Sequence, residues 1–457
     1  MKPVKIGLLG LGTVGCGTIN VLQRNAVEIT RRAGREIQVV QATARDIKKD
    51  RPCDVSGITL TSDPAEVVNN PDIDVVVELI GGYEPARELV LQAIENGKHV
   101  VTANKALIAV HGNEIFAAAQ EKKVMVAFEA AVAGGIPIIK AIREGLSGNR
   151  IQWLAGIING TGNFILTEMR DALQGCSSAA GDRTSGAAKG RSFDDVLNEA
   201  QQLGYAEADP SFDIEGIDAA HKLTILASIS FGVPLQFDKA YVEGITKITQ
   251  ADVAYAEQLG YRIKHLGIAR NAGDGIELRV HPTLIPERRL IANVDGVMNA
   301  VLVKGDAVGP TLYYGAGAGA EPTASAVVAD LVDVVRTLTT DPNSRVPHLA
   351  FQPDALSDLE ILPMEKVETA YYLRLDVVDR PGVLADITRI FGDMGISIEA
   401  VIQKEPDEGA DTVALILLTH RVAEKNMNSA IEQVEALDSV HGSVMRIRVE
   451  HLSSDWS

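Results

Sequence analysis

The chain has 457 residues, about three times the commonest length of a single domain, so we expect two or three hydrophobic cores. Hydrophobic residues make up 46% and charged residues 23% of the chain, which excludes a fibrous or largely disordered protein. The formal net charge of −18 disfavours nucleic acid and anionic membranes as partners. Apolar runs are too short to cross a bilayer and the first residues lack a signal-peptide pattern, so we expect a cytoplasmic location.

The first third of the chain alternates between strand and helix patterns. Val4 to Gly10 is a short apolar run, and a helical pattern follows from about residue 13 to 24. Further buried strands are predicted at Ile37 to Thr43, Val75 to Ile80, His99 to Thr102 and Val124 to Ala127. This alternation predicts an α/β fold with a parallel, doubly wound sheet.

Gly10, Gly12 and Gly15 lie directly between the first predicted strand and the first predicted helix. In that context Gly10 makes the turn, Gly12 admits a pyrophosphate, and Gly15 lets the helix approach the sheet. Glycines without this context often serve tight packing only. We therefore predict that residues 1–135 form a Rossmann-type domain that binds a nicotinamide dinucleotide.

The end of the second predicted strand bears on which dinucleotide binds. Arg45 suits the 2′-phosphate of NADP, whereas Asp46 keeps the 2′-hydroxyl of NAD possible. A solvated arginine at a strand end is the alternative interpretation. We expect NADP as the cofactor, with NAD possible.

Two further segments of this domain carry candidate chemistry. Lys105 follows a strand at the carboxyl edge of the sheet, where ligands of such sheets bind, although it could be an ordinary surface lysine. The glycines and proline of the loop from Glu129 to Pro137 suggest carbonyl groups turned inward. Such carbonyls suit a hard monovalent cation, but a plain connector has the same pattern.

Residues 136–320 are predicted to form an α+β domain, with long helices at Phe193 to Leu203 and Gly216 to Ser230. Asp218 and Lys222 are four residues apart and therefore share one helical face. An exposed salt bridge is one reading of this pair. The apolar run from Leu223 to Ala227 indicates a buried helix, which favours a functional pair.

Three segments link the predicted domains. Residues 172–189 have no apolar period and predict a flexible insertion between two helices. The glycine-rich residues 313–320 could face an anion or serve as a linker, and Pro322 is predicted at the first position of a helix. We expect this helix, about residues 322–340, to return to the first domain. Residues 341–365 then form a linker that contains proline and aspartate.

Residues 366–450 predict a separate ferredoxin-like module. Its elements, in order, are a strand from Tyr371 to Val378, a helix from Val383 to Met394, strands at Ile396 to Gln403 and Thr412 to Thr419, a helix through Val434 and a strand from Val444 to Val449. This is the βαββαβ order.

Six sequence segments are specific enough to compare with known families. They are Gly-Leu-Gly-Thr-Val-Gly at 10–15, Thr-Ala-Asn-Lys at 102–105, Asn-Gly-Thr-Gly-Asn at 159–163, Leu-Gly-Tyr-Ala-Glu-Ala-Asp-Pro at 203–210, Gly-Ile-Asp-Ala-Ala-His-Lys at 216–222 and Asp-Arg-Pro-Gly-Val-Leu-Ala-Asp-Ile at 379–387. Together they resemble homoserine dehydrogenases of the bacterial form with a C-terminal ACT domain, over nearly the whole chain. The predicted insertion at 172–189 departs from the family's usual pattern.

The resemblance implies a reversible hydride transfer between L-homoserine and L-aspartate 4-semialdehyde, with NADP(H) or NAD(H) as the carrier, in threonine, methionine and isoleucine biosynthesis. It implies that Lys222 is the general acid and base, with Lys105 close by, and that Glu207 and Asp218 bind the substrate. Besides the three glycines of the turn, the residues that match cofactor contacts are Thr13, Val14, Arg45, Lys105, Gly204 and Gly319. The residues that match a sodium site are Glu129, Val132, Gly134 and Ile136.

The resemblance also implies regulation and assembly, with residues 136–320 as the domain for substrate binding and dimerisation. ACT domains commonly pair and bind an amino acid, so we expect L-threonine as a feedback inhibitor and a homodimer or homotetramer. Two other hypotheses stay open: another NAD(P)-dependent amino-acid or semialdehyde oxidoreductase, and a non-catalytic sensor of nucleotide and amino acid.

Overall fold

The computed structural model describes residues 2–173, 175, 191–403 and 411–453, so nearly all of the predicted insertion at 172–189 lies outside the described residues. The chain divides into two compact units. The first unit comprises Met1–Gly160, Ile217–Ala240 and Val297–Leu359, and the second comprises Thr161–Gly216, Tyr241–Gly296 and Glu360–Ser457. Across the described residues, every helix is too short or too polar to cross a membrane.

The strands are numbered in chain order. They are β1 (Val4–Leu9), β2 (Ile37–Thr43), β3 (Thr59–Thr61), β4 (Val75–Glu78), β5 (His99–Thr102), β6 (Val126–Ala127), β7 (Ile151–Ile157), β8 (Tyr241–Val242), β9 (Tyr261–Asn271), β10 (Ile276–Pro286), β11 (Met298–Gly305), β12 (Gly309–Ala316), β13 (Glu368–Val378), β14 (Ile398–Gln403), β15 (Thr412–Thr419), β16 (Val422–Ala423) and β17 (Val440–Val449).

The α-helices follow the same convention. They are α1 (Thr13–Arg24), α2 (Ala26–Ala33), α3 (Pro64–Asn69), α4 (Ala86–Glu95), α5 (Lys105–Glu121), α6 (Ile138–Lys140), α7 (Gly160–Leu173), α8 (Phe193–Gln202), α9 (Ser211–Ile214), α10 (Ile217–Phe231), α11 (Gln250–Gln258), α12 (Ala320–Thr337), α13 (Val383–Asp393) and α14 (Glu424–Glu435).

In the first unit, β1 to β6 form a parallel sheet in the order β3-β2-β1-β4-β5-β6. This is the strand order of a doubly wound dinucleotide-binding sheet, so the predicted fold class is confirmed. Val75, Val76 and Val77 of β4 are fully buried because such a sheet is covered on both faces. The predicted end of this strand at Ile80 is wrong, since the Glu78 carboxylate binds the backbone N–H of Ile80 and turns the chain there.

Helix α12 packs against α1 in the core of the same sheet, where Val327 and Leu331 lie with Val4 and Ile6. It begins at Ala320, so the prediction that Pro322 occupies the first helical position is wrong. The proline is the third residue of the helix, still in the first turn, where a backbone N–H has no partner within the helix. The first unit also contains an antiparallel ribbon in the order β12-β11-β7.

Residues 341–359, within the predicted linker, pack on the first unit. The half-buried His348 ring accepts a hydrogen bond from the Val126 N–H through Nε2 (3.1 Å), and Arg345 donates to the Lys123 carbonyl (2.8 Å). These contacts anchor the segment to the sheet and to the end of α5.

In the second unit the sheet runs in the order β9-β10-β17-β13-β15-β14. The C-terminal part of this sheet, with α13 and α14, confirms the predicted βαββαβ order. Strand β17 also pairs in parallel with β10, through Thr283 opposite Arg448 and Leu284 opposite Val449. The module is therefore joined to the β9-β10 hairpin by backbone hydrogen bonds, a pairing between distant segments that leaves no local pattern in the sequence.

Candidate active site

The glycine turn between β1 and α1 has the geometry that its sequence predicts. Gly10 has φ of +103°, a conformation that favours glycine. A Cβ atom at Gly15 would lie 2.2 Å from the Gly10 carbonyl oxygen, whereas a Cβ atom at Gly12 would meet nothing within 4 Å. Gly12 is the N-cap residue of α1 and supplies no side-chain cap, so the first-turn N–H groups, including those of Thr13 and Val14, have no partner within the helix, as an anion site at a helix N-terminus requires.

Neighbouring segments hold this turn in place. The Gly10 N–H donates to the Thr43 hydroxyl at the end of β2 (3.0 Å), and Arg45 lies exposed two residues beyond. A Cβ atom at Gly17 would lie 2.5 Å from the Ala320 carbonyl oxygen, so α1 and the start of α12 are in close contact. Gly319, the residue that precedes α12, has φ of +128°.

Two lysines share one buried carboxylate in the first unit. Asp218 is only 2% exposed, and the Lys222 Nζ donates to its Oδ2 (2.6 Å) and to the Ile158 carbonyl (2.7 Å). The Lys105 Nζ lies 2.9 Å from Asp218 Oδ1, and the Asn159 side-chain amide donates to Oδ2 (2.9 Å). The structure thus brings together Lys105, Asp218 and Lys222, which are three of the predicted site residues.

Electrostatics keep this carboxylate ionised. Burial by itself would raise the pKa of Asp218, but Coulombic attraction from Lys222 and Lys105 outweighs it and holds the pKa well below the ordinary value. The result is a buried anion that anchors two ammonium groups. Lys222 is almost fully enclosed, whereas the Lys105 side chain is about one-third exposed.

A histidine lies beside the lysine cluster. His221 is fully buried, its ring stacks on Phe237 with centroids 4.1 Å apart, and its Nε2 lies 3.2 Å from the Tyr83 hydroxyl. Burial lowers the pKa of His221 to about 4, with the charges of Lys105 and Lys222 acting in the same direction. The imidazole is therefore neutral at pH 7.

The loop predicted to hold a cation lies between β6 and α6. The Glu129 carboxylate accepts hydrogen bonds from the N–H groups of Ile139 (2.9 Å) and Lys140 (2.8 Å), so this side chain caps α6. Ala133 and Gly134 both have positive φ, so the loop contains two consecutive residues of left-handed backbone conformation. Carbonyl oxygens are ligands that suit a hard cation, so a loop of this kind is compatible with the predicted site.

Two predicted residues lie in the second unit. Gly204 follows α8 with φ of +76°, and Glu207 is exposed, with its carbonyl accepting a hydrogen bond from the Gln201 side chain (3.0 Å).

Sequence reasoning missed several partners of the lysine cluster. Asn159 and the Ile158 carbonyl contact the Asp218–Lys222 pair, while Tyr83 and Phe237 contact His221. Asn159 lies in a segment that carries the family resemblance, which could have marked it. The other contacts join segments far apart in the chain, so no spacing pattern indicates them.

Family models match three parts of the chain. The model described as "Homoserine dehydrogenase, NAD binding domain" matches residues 10–129, "Homoserine dehydrogenase" matches residues 137–332, and "ACT domain" matches residues 371–439. The first match covers the glycine turn and Lys105, and the second covers Asp218 and Lys222. The dinucleotide-binding domain is thereby confirmed as an NAD(P)-binding domain.

Curated relatives and solved structures cover the full chain. A homoserine dehydrogenase of Pseudomonas aeruginosa is 68% identical over 99% of this chain and 100% of its own, and one of Neisseria gonorrhoeae is 56% identical over the same shares. A solved homoserine dehydrogenase of Thiobacillus denitrificans is 69% identical, covers 99% of both chains and superimposes with a TM-score of 0.91. The glycine turn within an NAD(P)-binding domain, the lysine cluster and these full-length similarities agree, and the chain belongs to the homoserine dehydrogenase family.

Proposed function

We propose that the chain catalyses the reversible NAD(P)-dependent interconversion of L-homoserine and L-aspartate 4-semialdehyde, with the Lys105–Asp218–Lys222 cluster as its catalytic centre. The observation that carries this assignment of roles is the pair of ammonium groups on one buried carboxylate, next to the carboxyl edge of an NAD(P)-binding sheet.

The cofactor site is proposed from the backbone of the glycine turn. The N–H groups of Thr13 and Val14 would bind the pyrophosphate, the open space over Gly12 would admit it, and Arg45 would bind the 2′-phosphate of NADP. The bound nicotinamide supplies or accepts the hydride. The cofactor contacts implied for Gly204 and Gly319 stay predictions.

The lysines handle the proton and the developing charge. Lys222 would donate a proton to the aldehyde oxygen during reduction and accept the hydroxyl proton during oxidation. Lys105 would stabilise the negative charge that develops on that oxygen. Asp218 orients both ammonium groups and would offer its carboxylate to a polar group of the substrate. The substrate-binding role implied for Glu207 stays a prediction, and Glu207→Gln should raise the KM for the semialdehyde.

The decisive experiment measures NADPH and NADH oxidation with L-aspartate 4-semialdehyde. We expect Lys222→Met to lower kcat by about 10²–10⁴-fold. Lys98→Met is the matched control, because Lys98 is also a buried lysine of the first unit but donates to the carbonyls of Asn70 and Ile73. A wild-type chain that oxidises neither cofactor would disprove the function, and an active Lys222→Met variant would disprove the role of Lys222.

We also propose that a sodium ion binds the carbonyl groups of Glu129, Val132, Gly134 and Ile136. The positive φ of Ala133 and Gly134 supports this donor set. The melting temperature should be higher in sodium chloride than in choline chloride at equal ionic strength. Equal melting temperatures in the two salts would contradict the proposal.

Regulation is proposed to act through the ACT domain. L-Threonine is the proposed feedback inhibitor, acting on a homodimer or homotetramer. Addition of L-threonine should lower the rate and raise the melting temperature, with D-threonine as the control. If saturating L-threonine changes neither quantity, the domain has another role, and sedimentation equilibrium would give the state of assembly directly.

A further inference from the structure

Glu78 is a buried carboxylate at the carboxyl edge of the parallel sheet, outside the lysine cluster. It ends β4 and is fully buried. One oxygen, Oε1, accepts hydrogen bonds from the N–H groups of Ile80 (2.8 Å) and Gly81 (3.0 Å). The other, Oε2, accepts from the Thr102 hydroxyl (2.6 Å) on the neighbouring strand. Burial of a carboxylate is costly unless hydrogen bonds compensate it, so the site requires all three donors.

The Thr102 hydroxyl extends this arrangement towards Lys105. While donating to Glu78, it accepts a hydrogen bond from the Asn104 N–H (2.9 Å). The Asn104 side chain in turn accepts from the Leu107 N–H (3.1 Å) and caps α5. Lys105 is the first residue of that helix, and its ammonium group contacts Asp218. The segment from Thr102 to Lys105 therefore connects the Glu78 carboxylate to a lysine of the cluster through hydrogen bonds and the backbone.

The loop after β4 also contacts residues next to the lysine cluster. Gly81 and Gly82 both have positive φ, and the Gly82 carbonyl accepts a hydrogen bond from the Asn104 side chain (2.7 Å). Tyr83 follows at once and places its hydroxyl 3.2 Å from Nε2 of His221, the neighbour of Lys222 in the chain. Glu78 fixes the start of this loop through two backbone N–H groups, and Asn104 fixes its middle.

We propose that Glu78 is a positioning residue for the hydride-transfer reaction, acting through the Thr102 hydroxyl and Asn104 to hold Lys105 against Asp218. The hydrogen bonds of the Glu78 carboxylate go to Ile80, Gly81 and Thr102, so its effect on turnover passes through these groups. The proposal rests on the catalytic role proposed for Lys105. It predicts that the hydrogen bonds from Glu78 through Thr102 to Asn104, here called the relay, affect kcat only while residue 105 carries an ammonium group.

The test removes the Thr102 hydroxyl in two backgrounds, the wild type and Lys105→Met. Thr102→Val keeps the shape of the side chain but loses the hydroxyl, and Thr102→Ser is the matched variant that retains it. We expect Thr102→Val to lower kcat by about 10–100-fold, because a small misplacement of a catalytic group is enough for such a loss. Thr102→Ser should recover most of that rate. In a Lys105→Met background, Thr102→Val should lower kcat less than about twofold further.

The outcomes separate this proposal from the proposed function. Full activity of Lys105→Met would remove the role of Lys105 itself. The role of Glu78 alone would be overturned if Lys105→Met is impaired and Thr102→Val lowers kcat by the same factor in the Lys105→Met background as in the wild type. It would also be overturned if Thr102→Val is fully active. If Thr102→Val does not fold, Glu78→Gln replaces it in the same cycle, since an amide offers an N–H group where one of the donors now binds. The melting temperature of each variant identifies losses caused by unfolding.

Discussion

The glycine turn and the lysine cluster lie in the same unit but are built in different ways. Residues 10–15 adopt their conformation because three of the six residues are glycines, which have no Cβ atom to clash. The close contacts of the turn are with its own backbone, at Gly10 and Gly15, and with Thr43 at the end of the neighbouring strand. The cluster joins side chains from three distant segments, at Lys105, Asn159 and the Asp218–Lys222 helix turn.

This difference has energetic consequences. The turn depends on space, so a substitution there acts by steric exclusion, and its effect depends on the room around that residue. The cluster depends on a balance between desolvation and charge attraction, so a change of one charge unbalances the groups that remain. Variants that change shape and variants that change charge should therefore separate the two sites.

The largest effect should come from Asp218→Asn, which removes the charge and leaves the shape. Two ammonium groups would then lie next to each other without their anion. We expect a loss of about 3–5 kcal/mol of folding free energy, the usual result of breaking a buried ion pair. We also expect kcat to fall by at least about 10²-fold because the lysines lose their anchor. Urea denaturation and NADPH oxidation measure these quantities.

Asp252→Asn is the matched control for that variant. Asp252 is fully buried in the second unit and pairs with Arg374 (2.7 Å) and the Tyr372 hydroxyl (3.1 Å). Its replacement should lower stability comparably while kcat stays close to that of the wild type. If both variants lose stability but both keep kcat, the Asp218 cluster is structural and not catalytic.

The second effect contrasts two glycines of the turn. Gly15→Ala would place a methyl group 2.2 Å from a backbone oxygen, so the turn must distort, with about 1–3 kcal/mol of lost stability and weak dinucleotide binding. Gly12→Ala meets no protein atom within 4 Å and should cost less than about 1 kcal/mol, the usual penalty for alanine at an N-cap position. If the pyrophosphate passes over Gly12, this second variant still loses cofactor affinity. Unchanged NADPH binding by Gly12→Ala, measured by fluorescence titration, would place the cofactor elsewhere.

The same contrast explains what could be predicted from the sequence. The turn was predictable residue by residue, because its glycines, its strand and its helix are contiguous. In the C-terminal module, the strand Thr412–Thr419 was predicted at its observed bounds because its apolar pattern is local. Lys105 and Lys222 could be named, but their common carboxylate, the Asn159 contact and the Tyr83–His221 pair depend on tertiary packing. The pairing of β17 with β10 was missed for the same reason.

The pH dependence of stability and of cofactor binding should differ between the two sites, because a histidine lies beside the lysine cluster and the glycine turn has no ionisable side chain. The pKa of His221 is about 4 in the folded chain, below the ordinary value of 6.5, so the folded state binds fewer protons than the unfolded state between these values. The stability that this histidine contributes is therefore complete above pH 6.5 and is lost as the pH falls towards 4. The shift corresponds to at most about 3–4 kcal/mol, at 1.36 kcal/mol for each pKa unit.

His221→Gln should remove this component. Between pH 7 and pH 4.5, the wild type should lose about 1–3 kcal/mol more than the variant in urea denaturation. Residues 10–15 carry no ionisable side chain, so affinity for NADH, which lacks the 2′-phosphate, should change little over that range. Equal losses of stability in the wild type and His221→Gln would show that His221 is not a neutral buried group.

The smallest effect should come from Arg45→Ala. Arg45 lies outside the glycine turn, so this variant shows whether a residue beyond the turn contributes to the choice between NADP and NAD. Arg45 is exposed, so Arg45→Ala should leave folding unaffected. If its guanidinium binds the 2′-phosphate, the substitution should weaken NADPH binding about tenfold, or about 1.4 kcal/mol, and leave NADH binding unchanged. Lys49→Ala, a nearby exposed cation, is the matched control and should affect NADPH binding less. The NADPH effect of Arg45→Ala should also shrink at high salt, because an exposed ion pair is screened. Equal loss of NADPH and NADH affinity would instead assign Arg45 to the shape of the loop, and the preference for a cofactor would have to come from other residues.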